Sequence, residues 1–516
     1  MDLWIGLMFL VVGSTAVPFR FVDVTSQVGI LATPHDKVSG SSIADLNQDG
    51  YLDIIQSNHG QSPADAYYGN ARGTFRHQER FLAQGDRHGT CVGDVDDNGM
   101  PDAFLSIGLI TNPSNLPHVR VELTNLDGSV RVPTPNETGF TQTTGYLFGC
   151  RLMDMDGDGD LDLLGQGGLF ENVQNHVYEN TGGGVYQELS VAPINRVKFS
   201  PFALGYLVTD FNGDGYLDIV LYGKQIKIFK GGPRFQYTDV TTQVLPSEYS
   251  NQRFSAAAQI DIDNDGDFDL YFTGGQRLKA RGSPGADLLL ENQQGIFRDI
   301  SSPAGIPRTG GRNGVSVADF DNDGYLDLFV GSAVSQPVVS NGTRLLDILL
   351  RNNGNKTFTA FTNHGAKELS RSSDRNYPAG LQAFDFNRDG LVDILIATRY
   401  NDGVTGAPGQ ISGKLQLFKN TKKNTNRWFV VKVPVNIRGR STMDALVKLK
   451  TPSGWLYRRV GSVGEGRSHS FIDQVHFGLG LSKTVSNVVV EVIGGSVRIV
   501  NDLRGVAVNQ IYALRV

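Results

Sequence analysis

Along this chain, short apolar runs alternate with clusters of Asp, Asn and Gly, and the alternation keeps returning. A run of small residues comes first, as in "SGSSIA", "SAAAQI" and "NGVSVA". An acidic nonapeptide follows, then an apolar run such as "LDIIQSN", "LDIVLYG" or "LDLFVGSA". Segments such as "LLLEN" and "ILLRN" come next, before an F-x-D-V/I-T/S pattern in "RFQYTDVTT" and "GIFRDISS". Runs this short, bounded by turn residues and free of helical periodicity, predict about four β-strands per unit. The nonapeptide occurs seven times, starting at Asp45, Asp94, Asp154, Asp210, Asp261, Asp319 and Asp385, with starts 49 to 66 residues apart. Such self-similarity signals a repeat fold, and four-stranded units arranged radially make a β-propeller. The small-residue strand suits the innermost position, where sheets crowd the axis.

The nonapeptide itself poses an electrostatic problem. Asp154 to Asp162 reads "DMDGDGDLD", with no Lys or Arg inside it. Carboxylates about 5 Å apart repel by roughly 3 kcal/mol per pair at an effective dielectric near 20. A hard cation resolves this, and calcium takes six to eight oxygen ligands. Positions one, three, five and nine offer side-chain oxygens. They are Asp45, Asn47, Asp49 and Asp53; Asp94, Asp96, Asn98 and Asp102; Asp154, Asp156, Asp158 and Asp162; Asp210, Asn212, Asp214 and Asp218. The remaining copies give Asp261, Asp263, Asp265 and Asp269; Asp319, Asp321, Asp323 and Asp327; Asp385, Asn387, Asp389 and Asp393. Position seven (Tyr51, Met100, Asp160, Tyr216, Asp267, Tyr325, Leu391) would lend its backbone carbonyl. Position six is always Gly, which permits a sharp turn. Up to seven calcium ions are expected, one per blade. The loop from Asp94 is the weakest, with Asn98 and Pro101.

Rival readings fare worse. An EF-hand needs Glu at position twelve and flanking helices, whereas Gln56 and Gly165 stand there and the flanks read as strands. A catalytic D-x-D site does not need seven near-equivalent copies. Asx-turn chemistry without metal accounts for one or two aspartates per loop, not four.

The expected fold is therefore all-β: a seven-bladed propeller over residues 17–427, followed by a small β-rich domain over 428–516. The last unit ends in "KLQLFKN" without an F-x-D-V-T strand, while "FRFVDVTSQVGI" precedes the first. Strand 19–25 is expected to complete the last blade, leaving no free edge; the alternative is an extra strand packed elsewhere. Residues 1–16 have the apolar run and small-residue end of a secretory signal, although the basic start is missing; a buried strand is the alternative. No other apolar run approaches the roughly 20 residues that span a bilayer. Sequons at Asn136, Asn341 and Asn355 agree with export. Cys91 and Cys150 fall on adjacent inner strands, as one disulfide or as two buried thiols.

The repeated D-x-[DN]-x-[DN]-G-x-x-D hairpins resemble the FG-GAP (VCBS-type) calcium repeats of integrin α propellers. Residues 428–516 resemble an ASPIC/UnbV module, through "NRWFVVKV" at Asn426 and "VHFGLG" at Val475 to Gly480. Its usual W-P-S-G-like turn is replaced by "VIGGS" at Val492 to Ser496. The chain as a whole resembles the cartilage acidic protein family. That resemblance implies a secreted, calcium-binding extracellular matrix glycoprotein with matrix or cell-surface partners. A ligand or antagonist of a cell-surface receptor, for example in nervous tissue, is the alternative.

Charge adds one further expectation. Residues 414–516 hold 17 Lys/Arg and 5 Asp/Glu, a balance of +12, against −6 for the whole chain. Lys422, Lys423, Arg438, Arg440, Lys448, Lys450, Arg458 and Arg459 are expected to contact acidic polysaccharide, or to form a dispersed solvated surface. Nucleic acid is a poor partner for a chain without an aromatic-basic platform. No H-E-x-x-H or His-triad spacing occurs, so no catalytic residue is assigned and the chain is read as a monomeric non-enzyme. A polysaccharide-active propeller is the enzyme alternative. It would need Tyr, His and Arg converging at one mouth of the axial funnel.

Overall fold

The structure is a computed structural model. It describes residues 19–516 except 32–37, 59–62, 84–86, 108–118, 142–146, 168–174, 191–193, 195–204, 224, 247–252, 276–285, 309, 333–345, 367–375, 401–412, 462–467 and 496. The expected signal segment 1–16 and the sequon Asn341 lie outside the described residues.

Before residue 421 the described residues form seven four-stranded sheets, and within each the strands pair antiparallel. The first contains Val38–Ala44, Asp53–Asn58, Ala64–Gly69 and Phe75–Leu82, in chain order. Every nonapeptide is the turn between a first and a second strand, so that Ala44 pairs with Asp53, Met153 with Asp162 and Ile260 with Asp269. The first strands stand side by side. Val38–Ala44 packs on Arg87–Gly93, and that strand on Leu147–Met153. Gly205–Thr209 packs on Phe254–Ile260, then come Arg312–Ala318 and Asn376–Phe384, which returns to Val38–Ala44. Met153 and Leu164 share a buried cluster with Tyr206 and Val208, which joins the third sheet to the fourth. The sheets thus form a closed β-propeller. Small side chains on the inner strands, Ser41, Ser42 and Ala257 among them, are fully buried there.

Phe21–Asp23 pairs antiparallel with Gly413–Asn420, Phe21 opposite Asn420, as the outer strand of the last sheet. The D-V-T pattern has a local reason. Asp23 accepts the Thr25 amide at 3.0 Å, and Thr25 Oγ1 accepts the Leu417 amide at 2.9 Å. The same turn recurs at Asp239 with Thr241 and at Asp299 with Ser301. Cys91 on Arg87–Gly93 is disulfide-bonded to Cys150 on Leu147–Met153, with Cα atoms 6.0 Å apart.

Neighbouring sheets are also tied by the Asn that ends the third strand in "YEN", "LEN", "LRN" and "FKN". Asn352 Nδ2 donates to Leu326 O in its own sheet at 3.2 Å and to Ile262 O in the preceding loop at 2.8 Å. Asn180, Asn292 and Asn420 do the same with Val95, Phe211 and Phe320 of their preceding loops.

The C-terminal part is built from two sheets. Arg427–Lys432, Gln474–Gly480 and Ile511–Ala513 form one; Leu446–Thr451, Gly454–Arg459, Asn487–Glu491 and Arg498–Asp502 form the other. It is not a separate body beside the propeller. One apolar cluster runs from Leu46, Val95 and Leu161 at the nonapeptide loops to Phe429, Val431, Val447 and Phe477. The segment at Ser468–Ile472 reaches the axis. His469 donates its amide to Thr90 O at 2.9 Å and accepts from Val92, while Phe471 donates to Ile43 O.

The inter-sheet asparagine yields a test. Asn352→Leu strips two buried carbonyls of their donor, at about 1–3 kcal/mol each. A marked fall in thermal midpoint is expected, whereas Asn353→Leu next to it, which is exposed, shifts it by little. Equal shifts in the two variants would contradict the assignment.

Candidate metal centres

The hairpins that carry the acidic residues are held by a repeated set of hydrogen bonds. Position nine does the most. Asp162 Oδ2 accepts the Met155 amide at 2.8 Å, and its Oδ1 accepts the Asn180 amide at 2.9 Å. All seven copies repeat this: Asp53, Asp102, Asp218, Asp269, Asp327 and Asp393 each bind the position-two amide and the amide closing the third strand. Position nine was read from the sequence as a ligand alone. The structure shows that it is also the staple between the loop and its sheet.

Positions one to seven form the cradle. Asp319 Oδ2 accepts the Gly324 amide at 2.7 Å, and Asp385 Oδ2 accepts that of Gly390 at 2.7 Å. The position-six glycines have φ from 82° to 109°, the left-handed region that only glycine enters freely. At Gly390 a side chain would also strike the Trp428 ring. Position five turns one oxygen to the position-seven amide, as Asp158 does to Asp160 at 2.9 Å. In the third loop Asp154 instead accepts from Gly157 at 2.7 Å.

Four loops bring three carboxylates together, one oxygen from each lying within 4.8 Å of the others. They are Asp94, Asp96 and Asp102; Asp154, Asp156 and Asp162; Asp261, Asp263 and Asp265; Asp319, Asp321 and Asp327. The loop from Asp94, the weakest by sequence, is among them. The loops from Asp45, Asp210 and Asp385 have Asn at position three and converge fewer carboxylates. Oxygen-only donors that converge this closely fit a hard cation such as calcium. Buried oxygens without a protein donor point the same way: Oδ1 of Asp45, of Asp261 and of Asp321.

Burial raises the carboxyl pKa values. Asp53, Asp218 and Asp269 are pushed up to about 8, and Asp94, Asp154, Asp261 and Asp385 to about 7. Like-charge neighbours add to the desolvation, so ionising a loop requires cations nearby.

Some cations come from the protein itself, and their positions were not visible in the nonapeptides. Lys230 lies 3.0 Å from Asp214, Lys356 2.7 Å from Asp263, Arg351 2.6 Å from Asp321 and Lys419 3.0 Å from Asp389. Lys432 of the C-terminal part reaches Asp45 Oδ2 at 2.7 Å, and Arg440 approaches Asp154 at 3.7 Å.

The C-terminal part in fact touches all seven loops. Gln474 donates to Gly50 O, Asn436 to Asp97, Arg440 and the Ser441 amide to Gly157 O and Gly159 O, and the Gly494 amide to Gly215 O. Tyr457 covers Gly266, Arg458 donates to Gly324 O at 3.3 Å, and His476 lies 3.2 Å from Gly390 O. This corrects the expectation for Arg458 and Arg459. Arg458 is only 6% exposed, and both line a cavity beneath the C-terminal part instead of facing an outside polysaccharide. Arg438 and Lys423 remain exposed. Asn136 and Asn355 are exposed too, on the short helix Pro135–Thr138 and on a turn.

Comparison with known proteins follows the same lines. A family model described as an FG-GAP-like repeat matches residues 154–221, 210–272 and 261–330. Cartilage acidic protein 1 of Xenopus tropicalis is 29% identical over 184 residues, which is 33% of this chain and 27% of that protein. The human protein of the same name is 26% identical over 182 residues, 33% of this chain and 26% of its own length. The match thus spans about a quarter of the relatives' length. Among solved structures, an Agrocybe aegerita lectin described as recognising non-reducing terminal N-acetylglucosamine superposes with a TM-score of 0.44 at 17% identity, covering 65% of this chain and 83% of the lectin. In its repeats the chain is similar to FG-GAP-repeat proteins, and over a third of its length to cartilage acidic protein 1.

Proposed function

We propose that this protein is a secreted, calcium-loaded binding module of the extracellular matrix, in which calcium has a structural role. The observation that carries the reading is the convergence of three carboxylate oxygens in each of four hairpins. Positions one, three and five with the position-seven carbonyl would hold the ion, and position nine anchors the loop from behind or adds an oxygen. Millimolar extracellular calcium suits such loops. The matrix setting rests on the similarity to cartilage acidic protein 1. No helix among the described residues is long and apolar enough to cross a membrane.

The C-terminal part covers the loop face, so partners reach the calcium loops only at their margins. Contact with matrix or cell-surface proteins is assigned to the sheet edges and to the face opposite the loops. Exposed Lys423 and Arg438 are what remains available to an acidic polysaccharide. The enzyme reading has arginines and His476 around the axial cavity in its favour. No Tyr among the described residues lines that cavity, however, and about 110 Å³ is too little for a polysaccharide segment.

Two experiments test the calcium. Asp158→Ala removes a cradle carboxylate, and Asp162→Asn weakens the staple. Thermal unfolding should show the Asp158 variant several degrees below wild type in calcium and close to it in chelator. The Asp162 variant should be lowered in both. If Asp158→Ala costs the same with and without calcium, the metal assignment is wrong.

The second uses pH. The carboxyls raised by burial to about 7 or 8 ionise near 3.8 when unfolded. Groups raised on folding stabilise fully below the unfolded value and lose that contribution as pH climbs through the folded one. In chelator the thermal midpoint is therefore expected to fall between about pH 5 and pH 8. Saturating calcium, by favouring the ionised loops, should abolish that fall; a parallel decline in both buffers would count against loop occupancy.

A further inference from the structure

Between the propeller axis and the C-terminal part lies a cavity of about 110 Å³. Four arginines line it, Arg151, Arg388, Arg458 and Arg459, against two aspartates, Asp319 and Asp385. Arg151 is paired with Asp444 at 3.0 Å. Arg388, Arg458 and Arg459 have no carboxylate within ion-pair distance among the described residues. Their bonds go to neutral groups instead. Arg458 donates to Tyr457 O at 2.8 Å and Gly324 O at 3.3 Å, and Arg459 donates to Asp444 O at 2.9 Å. The guanidinium of Arg388 lies over the Tyr51 ring, 3.9 Å from its centre. In all three the Nε–H is buried and has no acceptor.

Carboxylates beyond ion-pair distance offset part of this charge, Asp319 and Asp261 that of Arg458 and Asp210 and Asp444 that of Arg459, but none of them accepts from these guanidiniums. Asp319 accepts the amides of Asp323 and Gly324, and Asp385 those of Asp389 and Gly390. Each is also a position-one residue of a nonapeptide. A buried guanidinium N–H without an acceptor is costly, and the planar fork of donors matches an oxyanion.

We propose that this cavity binds one small oxyanion, a sulfate-, phosphate- or carboxylate-type group, against Arg458, Arg459 and Arg388. The anion bridges the C-terminal part, which supplies Arg458 and Arg459, to the propeller, which supplies Arg388. It is a ligand of the interior of the molecule, apart from any polysaccharide lying on the outside. Because Asp319 and Asp385 belong both to its wall and to hairpins, binding is measured with and without calcium.

Equilibrium dialysis of the full-length chain against radiolabelled sulfate, with ionic strength held constant by chloride, tests this in calcium and in chelator. About one saturable sulfate per chain is expected in at least one buffer. Binding should weaken at least tenfold in Arg458→Gln and in Arg388→Gln, the latter at a half-buried position. A sulfated disaccharide that competes would identify a sugar-borne group as the occupant, and one that fails would identify the free ion. Absence of saturable binding in both buffers overturns the proposal. So does undiminished binding in Arg388→Gln when that variant keeps the wild-type thermal midpoint.

Discussion

Every sheet of the propeller depends on an aspartate that uses both of its oxygens on backbone amides. In each repeat the carboxylate at position nine joins the start of the hairpin to the end of the third strand. It fixes where the loop leaves the sheet, and so where the remaining carboxylates converge. The adjacent Asn then carries the same geometry into the preceding sheet. A charged group bonded to two amides is a strong local constraint. Repeated around a ring, it makes the loops and the sheets one structure.

That constraint gathers buried acids on a single face, and the molecule answers with positive charge at three levels. Four hairpins converge three carboxylate oxygens each, an arrangement compatible with a hard cation. Lysines and arginines on third strands, or just beyond them, approach the cradles from the side. The basic C-terminal part sits across the face and reads glycine carbonyls of the loops. Part of the +12 of residues 414–516, Lys419, Lys432 and Arg440 among it, thus meets the acidity of the remainder in one internal contact. A sequence-wide pI describes neither side.

Much of this was legible in the chain, because repetition turns weak local signals into strong ones. Seven copies of one turn imply seven equivalent hairpins, and the glycine at position six predicts the left-handed backbone found there. The missing last strand and the spare first one pointed to each other, and Phe21 does pair with Asn420. Other features stayed hidden for physical reasons. A carboxylate's partners depend on which amides the fold brings near, so Asp162 looks the same in sequence as Asp158. Arg458 and Arg459 sit in a strand whose pattern shows a surface-like alternation, yet the surface they face is another part of the same chain. The asparagines of "YEN", "LEN", "LRN" and "FKN" did repeat, each closing a third-strand segment 18 to 27 residues after position nine, and that recurrence was a readable sign of a repeated backbone contact.

The pairing of Phe21 with Asn420 also has a consequence in time. The strand that is synthesised first waits for a partner nearly at the end of the propeller. Until that partner emerges, the ring has an open edge and its first residues have no place to settle. Contacts this distant in sequence are slow to form, because the intervening chain must first be brought to close. The early sheets can assemble singly as they appear, but the final shape arrives in one late event. That interval, more than the finished fold, is when unpaired strands are exposed to misassembly.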